Sequence, residues 1–387
     1  MKKCIIFTVA AALCLIACNK SGVTNGHGME GEGPVGMLSI RIDTPVRTKA
    51  AAADVLDNQI NSAQVLVYDQ TGLLETSRFF DVWDQDKATV TCQTGQKVVY
   101  VLLNVSNANR IKSTSLAQLE KDLSDLAENT PSNLIMSGRA EPVVTEYNKN
   151  KDASAAPQEV SVHVKRLASK VELQGVNVNF NNTQLEGASF QIKEIYLKNV
   201  VGKSPVTVQS VGTGGDAVNT TGLPSILSDT DHANASYWYS PMTKQATGAP
   251  EVTYEVFAST DGICVTTNDT PTVLNRVLFA YPNKNTGDNH DSTFNTGKKT
   301  RLVIKAHVTT PVDSPYISTQ FDDDTYYVFE LPKLEANKVY RITGINITML
   351  GLTKEEEEID EENEVGIVKP LITVDPWSEI IELTYEQ

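Results

Sequence analysis

Glu159-Val-Ser-Val-His-Val-Lys-Arg166-Leu-Ala-Ser-Lys170-Val-Glu-Leu173 decides how this chain folds. Val160, Val162 and Val164 alternate with Ser161, His163 and Lys165, the period of an extended strand with one apolar and one wet face. His163 falls on the wet side and reads as a solvated histidine. A second strand pattern opens at Leu167 and runs to Leu173, so a domain boundary is placed near Arg166.

The same period recurs in both directions. Upstream, Leu38, Ile40 and Ile42 share one face of a strand that Pro45 ends. Ala63 to Tyr68 reads as a strand closed by the turn Asp69-Gln-Thr-Gly72. Lys97 to Leu103 has the continuous apolar character of a buried central strand. Glu141 to Gln158 is polar and reads as a long loop. Downstream strands are predicted at Phe190–Val200, Val252–Ala258, Val277–Ala280, Arg301–His307, Tyr326–Leu331 and Val339–Leu350. Only Ser115 to Glu128 has helical spacing, through Leu116, Leu119, Leu123 and Leu126, with Thr114 or Ser115 as N-cap. That stripe reads as core packing. Short strands punctuated by Asn, Asp, Gly and Thr turns make the fold all-β with one short helix, built as β-sandwiches.

Composition narrows the function. The 387 residues carry 48 acidic against 33 basic side chains, a net charge of −15 and a pI near 4.8. Nucleic acid demands a basic footprint, so it is excluded as a partner. A polybasic grip on anionic lipid is excluded for the same reason. Forty per cent apolar and 21% charged residues are ordinary for a globular chain, and the length supports two domains with proper cores.

The N-terminus reads as an address. Lys2 and Lys3 precede an apolar run from Ile5 to Ile16 that is too short for the roughly 20 residues of a bilayer span. Leu15-Ile16-Ala17-Cys18 resembles the lipobox of bacterial lipoproteins, in which the thiol of Cys18 takes a diacylglycerol. Asn19 to Gly36 is a Gly-rich tether. Its two GxGxxG matches neither follow a strand nor open a helix, so they do not cradle phosphate.

Chemistry-bearing constellations are missing. There is no GxSxG, HExxH, P-loop or CxxC, and the five histidines are scattered. No catalytic residue, metal ligand or cofactor is assigned, and the chain is read as not an enzyme. Beyond the leader, Cys92 and Cys264 read as two buried free thiols, with a disulfide between them as the alternative. The run Lys354–Glu364 reads as a solvated, self-repelling hinge. Calcium is the less favoured alternative there, at Asp322-Asp323-Asp324 and at Asp288-Asn289-His290-Asp291, since none has EF-hand spacing.

The two ends belong together. Thr44-Pro-Val-Arg47-Thr48-Lys49-Ala50 is a cleavable basic loop directly after the leading strand. Behind the acidic hinge come two amphipathic strands joined at Pro376. In the second of them Trp377, Ile381, Leu383 and Tyr385 share a face. Cutting after Arg47 would free the strand bearing Leu38, Ile40 and Ile42, and an emptied sheet position invites strand addition from another copy. Such a contact is head-to-tail and propagates as an open filament.

At this point the chain resembles the fimbrillins, the subunits of type V pili in Bacteroidales. The resemblance rests on the lipobox at Cys18, Arg47-Thr48, Arg166-Leu-Ala-Ser-Lys170-Val-Glu-Leu and Phe279-Ala-Tyr281-Pro-Asn283. Asn337-Lys-Val-Tyr340-Arg-Ile and Val374-Asp-Pro-Trp377 complete it. It implies two tandem transthyretin-like β-sandwiches and an outer-membrane lipoprotein precursor matured into a cell-surface fimbrium. Carried over, residues 1–18 are the signal peptide and 19–47 the tether and propeptide strand. Residues 48–166 form the first sandwich and 167–387 the second, ending in donor strands 366–387. Ile372, Val374, Trp377, Ile381, Leu383 and Tyr385 would enter a neighbouring copy. The implied partners are other copies of the chain, anchor and tip pilins, an arginine-specific protease, and the membrane through the lipid on Cys18. Lys49 leaves the cut position open by two residues. A tip or accessory subunit, or a glycan-binding surface lipoprotein using Tyr237-Trp238-Tyr239, are the competing readings.

Overall fold

The computed structural model describes residues 35–43, 59–83, 87–145, 158–181, 183–198, 200–207, 238–239, 251–257, 262–265, 272–283, 300–311, 321–352 and 372–376. Up to Arg166 they form β1 (Val35–Asp43), β2 (Ala63–Asp69), β3 (Leu74–Phe80), β4 (Lys87–Gln93), β5 (Gly95–Leu103), α1 (Leu116–Leu119), β6 (Leu123–Asp125), β7 (Met136–Thr145) and β8 (Gln158–Arg166). Then come β9 (Ser169–Val178), β10 (Ser189–Lys198), β11 (Val200–Val201), β12 (Lys203–Pro205), β13 (Trp238–Tyr239), β14 (Tyr254–Val256), β15 (Ile263–Val265) and β16 (Thr272–Ala280). β17 (Arg301–Thr309), β18 (Asp322–Glu330), β19 (Lys338–Ile342), β20 (Ile345–Ile347) and β21 (Ile372–Pro376) complete the series. The fold is all-β, with one short helix among the described residues.

The first sandwich is one sheet in the order β3-β2-β5-β7-β8-β1-β4, bent back on itself. β8 makes the bend. Its first part runs parallel to β1, and its last three residues pair antiparallel with β7. Gly138 is needed at that crossing, because a Cβ there would stand 2.4 Å from the His163 carbonyl. The free edges of β3 and β4 are joined by side chains, which covers what would otherwise be open sheet edges. Thr76 Oγ1 donates to the Thr91 carbonyl at 2.7 Å, and Arg78 Nη1 to the Thr89 carbonyl at 2.6 Å. Glu75 accepts from the Gln93 amide and from Lys97 Nζ.

β5 is central, between β2 and β7, and both of its faces are covered. Val99, Val101 and Leu103 look into the sandwich, whereas Tyr100 and Leu102 join Leu119, Leu126 and Leu134 on the outside. That double burial explains its unbroken apolar run.

The helix expected over 115–128 is corrected. Only Leu116–Leu119 is α-helical, capped by Ser115 Oγ accepting from the Gln118 amide. Leu123–Asp125 extends instead as β6 and pairs antiparallel with β12 of the other half of the chain. Asp125 and Glu128 then form a capping box around a single 3-10 turn. Leu119 and Leu126 are buried as core residues, but a tertiary strand partner overrides the helical period between them. The loop expected at 141–158 is also shortened, since β7 continues to Thr145.

The second sandwich packs the sheet β14-β10-β17-β18, with β15 on β10, against β16-β9-β19-β21, with β20 on β9. The strand expected at Val339–Leu350 is broken into β19 and β20, both parallel to β9. The two sandwiches share one continuous apolar cluster. Tyr281 ties them at a fully buried point. Its hydroxyl lies 2.7 Å from Ser124 Oγ and accepts from Asn129 Nδ2 at 3.0 Å. Asn337, at a positive φ of 56°, accepts from the Arg166 amide and guanidinium.

Candidate assembly site

β1 is an internal strand. It runs antiparallel to β4, with Leu38 opposite Val90 and Ile40 opposite Ala88, and parallel to β8, with Ile40 opposite Val160 and Ile42 opposite Val162. Leu38 and Ile40 are completely buried, and Ile42 is partly so. All three pack into a cluster with Val65, Val67, Val90, Val101 and Val162. Burying Leu38 and Ile40 contributes about 1.5–3 kcal/mol each. Taking β1 out would uncover that apolar floor and leave two strands, β4 and β8, with unpaired backbone groups.

The outer face of β1 is spanned by charge. Lys87 on β4 lies 2.8 Å from Glu159 on β8, bridging the strands on either side of it. The hydrogen bond from Lys87, helped by the Arg41 charge, holds the Glu159 carboxyl below its ordinary range. Both groups are wet, so the bridge adds little stability. Cys92, in register with Gly36 of β1, is a buried free thiol whose pKa burial pushes up to about 11. It is inert toward exchange at neutral pH. Cys264 is corrected from buried to exposed. It is also free, on the exposed middle position of the short strand β15.

The C-terminal strand is placed differently. Among the described residues β21 ends its sheet and pairs with β19 alone, Ile372 opposite Ile342 and Val374 opposite Tyr340. Cys18, Arg47, Thr48, Trp377, Ile381, Leu383 and Tyr385 lie outside the described residues, as do the acidic run, Tyr237 and the Asp288–Asp291 segment. Trp238 and Tyr239 form β13, paired with β11.

His163 is exposed, as its place in the alternation requires. Asp322 and Asp324 are occupied by protein partners. Asp324 Oδ1 lies 3.0 Å from His307 Nδ1, and Asp322 Oδ1 lies 2.9 Å from His307 Nε2. Lys305 Nζ is 3.1 Å from Asp324 Oδ2. Hydrogen bonds from Thr309 and His307 hold the Asp322 carboxyl below its usual range, and those from Lys305 and His307 do the same for Asp324 against the opposing effect of burial. No cluster of three or more metal-binding side chains occurs among the described residues. No helix among them is long and apolar enough to cross a membrane.

Sequence reading missed β4, although Lys87-Ala-Thr-Val-Thr-Cys-Gln93 alternates strictly, with Ala88, Val90 and Cys92 inward. That alternation was the available signal for one wall of the site.

An internal leading strand in a two-sandwich β-protein narrows the class to one in which the N-terminal strand completes a sheet. The family described as "Major fimbrial subunit protein (FimA)" matches residues 37–228, from within β1 through the first sandwich into the second. Over that span the chain belongs to the FimA major fimbrial subunit family. No curated protein matches it.

Solved structures share the fold. The fimbrilin FimA of Porphyromonas gingivalis W83 is 17% identical, with a TM-score of 0.56 over 90% of this chain and 99% of that one. A candidate cell adhesion protein of Parabacteroides distasonis ATCC 8503 is 16% identical, with a TM-score of 0.59 over 89% and 99%. Another, from Bacteroides eggerthii DSM 20697, is 17% identical, with a TM-score of 0.54 over 89% and 97%. The family membership carries a structural role in a cell-surface fimbrium, with other fimbrial subunits as assembly partners.

Proposed function

We propose that the chain is a non-enzymatic pilin subunit that polymerises by proteolysis-triggered donor-strand exchange and so supports adhesion and biofilm. It is exported as an outer-membrane lipoprotein lipidated on Cys18. An arginine-specific protease cuts between Arg47 and Thr48, β1 leaves, and the C-terminal segment of another copy takes its place. The filament grows head-to-tail between an anchor and a tip subunit.

One observation carries this reading: β1 is bonded on both sides, yet its chain continues directly into the basic stretch at Arg47. Proteolysis there severs the only covalent link between β1 and the rest of the sandwich. A strand of ten residues spans about 33 Å, enough to fill the vacated position.

The test uses the soluble precursor beginning at Asn19, treated briefly with an arginine-specific protease. The expected result is a new N-terminus at Thr48 together with SDS-resistant multimers that vanish when 366–387 are deleted. Cutting without multimers would make the chain a tip subunit. Resistance of Arg47 in the folded protein would remove the trigger and favour a glycan-binding lipoprotein.

A further inference from the structure

Just after β20 the chain crosses from one sheet of the second sandwich to the other. β20 itself is parallel to β9, and the chain beside it is held again where that strand ends. The Asn179 amide donates to the Ile347 carbonyl and the Asn181 amide to the Thr348 carbonyl, both at 2.9 Å. Leu350 then packs against the main core, and Leu352 bridges Tyr326 of β18 in the opposite sheet. The bridge runs both ways. The Tyr326 amide donates to the Leu352 carbonyl at 2.8 Å, and the Leu352 amide to the Tyr326 carbonyl at 2.9 Å.

Two features tighten it. Gly351 lies so close to β18 that a Cβ there would stand 2.6 Å from the Tyr326 carbonyl oxygen. Leu352 packs against an apolar row in which Tyr196 stands opposite Val303, and Val303 opposite Val328. Val303 and Val328 alternate with the core residues Leu302, Ile304, Tyr327 and Phe329, so the row lies on the other face of the sheet. All three of its members are buried. Leu352 is the last described residue before β21, and β21 is paired with β19. The segment after β20 is thus anchored twice, at Leu352 and at β21.

We propose that Gly351 and Leu352 form a clasp that halts fraying of the C-terminal segment before it reaches β20, so that β21 can leave while the second sandwich stays folded. Leu352 supplies the apolar anchor, and Gly351 the close approach that the two hydrogen bonds need. The use of the clasp in assembly rests on the function proposed above, in which the C-terminal strand is given to another copy. The clasp itself works in the single subunit, so its failure would leave that reading standing.

Hydrogen exchange on the uncleaved soluble precursor tests it, with the Asn179 and Asn181 amides as reporters. Thr373→Pro/Val374→Pro releases β21, since it removes two successive amides and therefore one that faces β19. Alone, that change should leave the reporters within about twofold of the parent. Gly351→Val alone should speed exchange at Tyr326 and Leu352 but move the reporters no more than about threefold, because β21 still holds the segment. Combined, the changes should speed the reporters about tenfold beyond the product of their separate effects. Fast reporter exchange on release of β21 alone, or combined effects that only multiply, would overturn the proposal. If Gly351→Val does not fold, Leu352→Ala takes its place, with the backbone bridge kept and the apolar anchor removed.

Discussion

The two ends of the described chain both finish as strands, and they are held in opposite ways. β1 lies inside the first sandwich with neighbours on both sides, whereas β21 has one neighbour among the described residues of the second. An edge strand peels off by giving up a single ladder. An internal strand gives up two and uncovers the sandwich floor at Leu38 and Ile40. On the described pairing, opening costs less at β21 than at β1, and under the proposed function a covalent cut would make loss of β1 irreversible. Under the function proposed above, the C-terminal strand would donate and the N-terminal one would keep its place filled until proteolysis.

Three perturbations bear on this contrast, the largest first. Ile40→Ala should destabilise the uncleaved precursor by about 2–5 kcal/mol, since a fully buried side chain is truncated next to a floor that cannot collapse. Denaturant titration would check it. A loss well under 1 kcal/mol would mean that β1 is not part of the first sandwich's core.

Tyr281→Phe should cost about 1–3 kcal/mol, because Ser124 and Asn129 lose a buried partner at the joint between sandwiches. Calorimetry should show the single transition broadening or splitting. If it stays single and unshifted, the two ends are not coupled through this joint.

The smallest effect belongs to Lys87→Gln. The bridge to Glu159 is wet, so thermal unfolding at neutral pH should match the parent. Glu159 is held below its unfolded pKa, so whatever it contributes is present above that value and is lost as pH falls through the lowered one. An acid titration of Lys87→Gln should lack that increment. A large loss at neutral pH would show that the bridge, and not the apolar floor, retains β1.

Much of this was legible in the sequence, for identifiable reasons. Strict alternation gave β1 and β8, the latter burying Val160, Val162 and Val164 while Ser161 and His163 stay wet, whereas β2, buried on both faces, was legible as an apolar run. The apolar run of β5 marked a strand covered twice. The helix over 115–128 was misread because Leu123 and Leu126 keep helical spacing while Leu123–Asp125 answers to β12, about 80 residues away in sequence. Local spacing carries no trace of such a partner. The internal position of β1 was equally hidden. Its own pattern fits an edge or a centre, and only the pairing of β4 and β8 on either side distinguishes them. The contact of Arg341 with Glu172 was out of reach because the two residues lie on strands more than 160 residues apart in sequence.

The most direct measurement asks whether β1 must leave. Ser39 and Thr89 stand opposite each other across β1 and β4, so Ser39→Cys with Thr89→Cys, in a Cys264→Ser background, allows a disulfide to pin the strand. The oxidised precursor is cut at Arg47 and run on an unheated denaturing gel, before and after reduction in the native state. The account predicts cleavage without multimers while the disulfide holds, and a ladder once it is reduced. Multimers formed with β1 still pinned would contradict it.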